Sequence, residues 1–210
     1  MEEKEMTEKE SLEVITAMIS RTKERYVGNG NIMLMWGWLT VAVTVLVWVL
    51  LAVTRNPACN WLWFLIWIIG GTLTPIMAKR QRRVEGVKTY TDRITSQIWS
   101  AVGFIGIAAT AFCLAFLMSE GIDSWLMMFA YALVIVPFAE IIQGIVVRER
   151  SLTIGGSLGL ACGLFTLCCI AGKVTLVAAW YLPVFIFAFI CMMVIPGHII
   201  NYKAKRNERA

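Results

Sequence analysis

Six stretches of apolar sequence divide this chain, at 32–54, 60–79, 94–118, 124–147, 151–172 and 175–200. An α-helix rises about 1.5 Å per residue, so each is long enough to cross the roughly 30 Å hydrocarbon core of a bilayer. In lipid a spanning segment must satisfy its own backbone, so each stretch is expected to be a helix. The chain has 210 residues, 59% hydrophobic and 16% charged, where soluble domains run to about 45–50% and 25%. A soluble globular enzyme, a secreted disulfide scaffold and a disordered chain are thereby excluded. The expected fold is all-α: a six-transmembrane-helix bundle over 31–201, preceded by a cytoplasmic helix and turn (1–30) and followed by a basic tail (202–210).

Charge placement sets the expected orientation. Of 19 Lys and Arg residues, 17 lie before the first stretch, in the second and fourth connections, or in the tail; the other connections hold only Arg55 and Lys173. Lys and Arg mark the cytoplasmic side, so both termini are expected inside a bacterial-type cytoplasmic membrane. The first thirty residues contain no short apolar run ahead of a small-residue cleavage site, so targeting is expected to come from the first span. The net charge of +5 is then orientation and attraction to anionic headgroups, with no nucleic-acid partner implied. Trp36 and Trp38 fall at the expected inner interface, and Trp61, Trp63, Trp125 and Trp180 near outer ends.

Ahead of the first span, Thr7 and Glu10 have capping-box spacing. Leu12, Ile15, Ile19, Thr22 and Tyr26 follow at helical spacing, with Met18 widening the stripe, until Gly28 and Gly30. This predicts an amphipathic helix of about twenty residues. It either lies at the membrane interface or, through residues 7–27, docks a protein partner or a second copy of the chain. Ser11-Leu12-Glu13, Ile15, Met18-Ile19, Trp36-Gly37-Trp38, the 148–156 stretch and Pro196-Gly197-His198 together resemble a group of small bacterial six-span membrane proteins with an N-terminal amphipathic helix. The resemblance implies that architecture and carries no activity.

Ionisable groups within hydrocarbon are costly, and each is a functional hypothesis. Glu140 is the one well inside a span, roughly 10 Å from its inner end. Pro137 and Gln143 flank it at three-residue spacing on one helix face. Thr74 in the second span, Gln97 and Ser100 in the third, Ser157 in the fifth and His198 at the end of the sixth lie at comparable depth. These seven polar residues are expected to line an inward-facing pocket for a small solute or proton, with Glu140 as its deepest group, in a binding or transport role. The alternative is a membrane-anchored interaction or sensory protein using the N-terminal helix and the basic 79–93 loop.

Gly155, Gly159 and Gly163 form a small-xxx-small face for close helix approach, and Pro75, Pro137 and Pro196 are expected to kink the even-numbered spans. Gly155-x-Ser157-x-Gly159 also spells a hydrolase nucleophile elbow, with His198 and Glu140 as partners. That motif requires a strand-turn-helix context which a spanning helix lacks, so no catalytic residue is assigned. Six cysteines and a single His form no metal-ligand spacing, and neither a metal nor another cofactor is expected. The cysteines read as small packing residues, with a Cys59 bridge to Cys168 or Cys169 the one pairing left open.

Overall fold

A computed structural model describes residues 7, 9, 12, 13, 16, 30–85 and 90–207, with the side chains of 82–85 and 207 outside the description. Six helices within it are long and apolar enough to cross a membrane. We number them α1 (Asn31–Thr54), α2 (Phe64–Glu85, entered through a 3-10 turn at Pro57–Trp63), α3 (Tyr90–Glu120), α4 (Leu126–Val147), α5 (Arg150–Ala171) and α6 (178–207). The expected boundaries hold to within a few residues, except that α2, α3 and α6 run further into basic sequence. Among the described residues there is no strand. Most of the expected N-terminal helix lies outside the described residues; positions 9, 12, 13 and 16 are helical, and Thr16 Oγ1 donates to the Leu12 carbonyl at 2.7 Å.

The helices form a ring in sequence order. α1 packs on α2 and α6, α6 on α5, α5 on α4, and α4 on α3. The first and last helices close it: the Gly30 amide donates to Asn201 Oδ1 at 2.7 Å, and Asn201 Nδ2 donates to Asn31 Oδ1 at 2.7 Å. A side chain at Gly30 would strike the Gly197 carbonyl at 2.6 Å, so backbone meets backbone at this closure. α2 and α3 touch each other little; across that gap the Trp67 ring meets Gly106, where Tyr131 of α4 also rests. Burial follows this asymmetry. Only 6% of the apolar window of the second span is buried within the molecule, against 44% for the sixth.

α4 and α6 share a local irregularity in the same register. Each contains a π turn, at Tyr131–Ile135 and Ile190–Val194, and a proline two residues later, Pro137 or Pro196. The Val136 amide reaches back to Tyr131 and that of Ile195 to Ile190, the five-residue spacing of a π bulge. A proline donates nothing to the carbonyl four residues back (Leu133 for Pro137) or, in π spacing, five back (Cys191 for Pro196), so both helices expose backbone oxygen mid-span. α5 receives both: the Leu133 carbonyl sits against Gly163, and the Cys191 carbonyl lies 2.6 Å from where a Gly155 side chain would begin. Gly159, between them, is touched by Pro137 and Met192. The glycine face therefore works inside the monomer, seating a neighbour on each side of α5. The second span differs, since α2 stays α-helical through Pro75.

Side chains from alternate helices meet in the middle of the ring. Toward the end away from the basic connections, Trp63, Phe129 of α4 and Phe185 of α6 pack edge to face with centroids 5.2–5.9 Å apart. Tyr181 joins through Phe129 at 5.1 Å, and Trp180 stacks edge-on to Tyr181 at 5.6 Å. Trp63 and Trp180 are thus partly buried against the bundle at this end. Aromatic pairs of this geometry contribute about 0.5–1.5 kcal/mol each beyond their burial. All six cysteines are free, so the Cys59 bridge is not formed.

Candidate functional site

Glu140 lies in the regular α-helical part of α4 (Val136–Val147), about 12 Å along the axis from the basic end at Arg148. Its neighbours on the helix define where it faces. Pro137, Ile141 and Gly144 meet α5, at Gly156 and Thr153. Gln143 meets α3, accepting a hydrogen bond from Trp99 Nε1 at 2.8 Å. At about 100° per residue, Glu140 occupies the arc between these two contacts, the arc turned into the ring. It is 0% exposed, and neither carboxylate oxygen has a hydrogen-bond partner among the described residues. Buried polar groups are nearly always paired, because leaving one unpaired costs about 1–3 kcal/mol. Along the ring axis the aromatic cluster occupies the far half and Glu140 the half nearer the basic connections.

The other expected lining residues are distributed differently. Gln143 is half-buried and engaged by Trp99. Thr74 accepts from Trp36 Nε1 at 2.9 Å and donates to the Gly70 carbonyl at 2.6 Å, tying α2 to α1. Gln97, Ser100, Ser157 and His198 are exposed on the outside of the ring. Ser100 donates to the Ser96 carbonyl and Ser157 to that of Thr153, each at 2.7 Å, so both hydroxyls are spent on their own helices. His198 packs against Trp38. The structure therefore keeps Glu140 and Gln143 on one stretch of α4 and does not bring the exposed four to them. With Ser157 outside and bonded to its helix, the elbow-like motif has neither His198 nor Glu140 as a hydrogen-bond partner.

A second buried carboxylate lies where the sequence offered no spacing signal. Arg148 ends α4 in the left-handed region (φ 57°), and Glu149 caps α5, accepting from the Ser151 amide at 3.3 Å and its hydroxyl at 2.9 Å. Lys203 of α6 closes on both carboxylate oxygens, at 2.7 and 2.8 Å. One turn thus joins α4, α5 and α6 at the basic end. Burial pushes the Glu149 carboxyl upward, but the Lys203 and Ser151 hydrogen bonds and the Lys203 charge outweigh it. The group titrates below its ordinary range. The signals that could have pointed to it are modest: a Glu just before Ser-Leu-Thr at a helix start, and a lysine displaced inward from the tail.

Among the described residues no cluster of His, Cys, Asp or Glu could hold a metal ion. No protein-family model, curated protein or solved structure matches the chain.

Proposed function

We propose that this is a multi-pass protein of the cytoplasmic membrane, with both termini inside, that binds a proton or a small cationic solute at Glu140. One observation carries the reading: a carboxylate enclosed inside the ring with neither oxygen bonded. A side chain held at such cost awaits a partner that the described residues do not supply. The aromatic cluster on the far side of Glu140 gives the site a one-sided character, with the basic end as the shorter way out. Gln143, held by Trp99, fixes the adjoining turn of α4 against α3. Direction and orientation follow from the basic residues at the ring's Gly30–Asn201 end, which the positive-inside rule places in the cytoplasm.

The test uses the full chain in proteoliposomes. A valinomycin-clamped potassium potential is applied and internal pH is followed with pyranine; the wild type should acidify its vesicles faster than E140Q. A hydrophobic carbodiimide should modify Glu140, mapped by mass spectrometry, and guanidinium or a tetraalkylammonium ion should protect it if the ligand is a solute. Equal proton flux in both proteins together with no protection by either cation would falsify the assignment.

A further inference from the structure

One helix face at the basic end remains outside the contacts that build the ring. Ile195, His198, Tyr202, Lys205 and Arg206 of α6 are exposed, Tyr202 by 70%. At 3.6 residues per turn they share an arc of about 100°. Its two flanks are anchored. Asn201 bonds Gly30 and Asn31 on the α1 side, and Lys203 bonds Glu149 on the α5 side. The arc between them therefore looks away from the bundle. Trp38 of α1, itself half exposed, lies beside it with its ring edge-on to His198, centroids 6.5 Å apart. From His198 to Arg206 the face runs about 12 Å along the helix, passing from apolar to aromatic to cationic.

Its polar groups are nearly all donors: the Trp38 indole, one His198 ring nitrogen, the Tyr202 hydroxyl, the Lys205 ammonium and the Arg206 guanidinium. None of them bonds another described residue; the ion pair at this end belongs to Lys203. The basic end of α3 is different, because Asp92 and Gln97 set acceptors among Arg93 and Ser96. A donor ladder on a lipid-facing helix requires a ligand whose polar atoms are acceptors spread along the membrane normal. A soluble anion could engage the two cations but would leave Trp38 and His198 without a partner.

We infer that this face binds one anionic phospholipid in a fixed register. Its phosphodiester lies at Tyr202, Lys205 and Arg206, its ester carbonyls lie level with His198 and Trp38, and its acyl chains continue along Ile195. The headgroup charge adds attraction at each cation, and the ester and phosphate oxygens satisfy the ladder.

The full-length protein in detergent is titrated with phosphatidylglycerol or phosphatidylcholine of matched chains, and bound lipid is counted by native mass spectrometry. The first phosphatidylglycerol should bind the wild type about tenfold tighter than phosphatidylcholine. K205Q/R206Q should reduce that preference to about twofold, while H198A/Y202F should weaken both lipids severalfold. K79Q/R80Q removes the same charge from the same end and should keep the tenfold preference. The proposal is overturned if K79Q/R80Q loses as much preference as K205Q/R206Q, if the wild type shows none, or if excess inorganic phosphate displaces the lipid. Melting temperatures of all variants close to wild type are expected, since every substituted side chain is exposed.

Discussion

The two buried carboxylates stand in opposite circumstances on adjoining parts of the chain. Glu149 has an ammonium on both oxygens and two donors from Ser151. Glu140, less than three turns earlier, has no partner among the described residues. The described fold gathers four donor contacts around one carboxylate and none around the other. The comparison separates a group that holds helices together from one that costs stability where it stands.

That contrast is open to direct attack, beginning with the pair. K203M should lower stability by about 2–3 kcal/mol, because it strands a buried anion while Lys203's half-exposed position softens the loss. Part should return in the double variant E149Q/K203M, measured by denaturant titration in detergent. A smaller effect of opposite sign is expected at the other carboxylate. E140L should gain about 1–2 kcal/mol, since it removes an unsatisfied polar group from an apolar setting. It should also abolish proton or cation binding. If E140L instead destabilises as K203M does, Glu140 has a structural partner and the contrast fails. The smallest effect concerns pH. Because the folded Glu149 carboxyl titrates below its ordinary range, its contribution is complete above about pH 5 and fades as pH falls through the folded value. The wild type should lose more stability than E149Q over that acid range, read from parallel melting curves.

The six spans were legible because hydropathy is a local sum: a window of twenty residues around Val43 or Ala109 announces itself without reference to any other. The glycine repeat of α5 was legible too, since small residues at four-residue spacing mean close approach wherever they occur. Which side of each helix looks inward was not. Spans such as α1 are apolar all round, so periodicity gives no direction. Ser157 and Ser100 thus shared a depth with Glu140 on paper and turned out to face away from it. Glu149 escaped notice for another reason, since it sits in a short connection and its partner arrives from 54 positions later. The matched π turns depend on how Pro137 and Pro196 redistribute backbone hydrogen bonds, which no residue type specifies by itself.

The closure between Gly30, Asn31 and Asn201 has a consequence for biosynthesis. Spans leave the ribosome in order, and the contacts from α1 to α2 and from α3 to α6 link sequence neighbours, so those parts can assemble as they emerge. The joint that completes the circle links residues 171 positions apart, and it has no counterpart until the last helix has entered the bilayer. Until then the nascent chain is an open arc with two bare edges, α1 and whichever helix came last. Glu140 is already synthesised and faces an unsealed interior. The arrival of α6 is therefore the step at which the circle can close. Any truncation before it leaves an acidic group within reach of water or of the wrong neighbour.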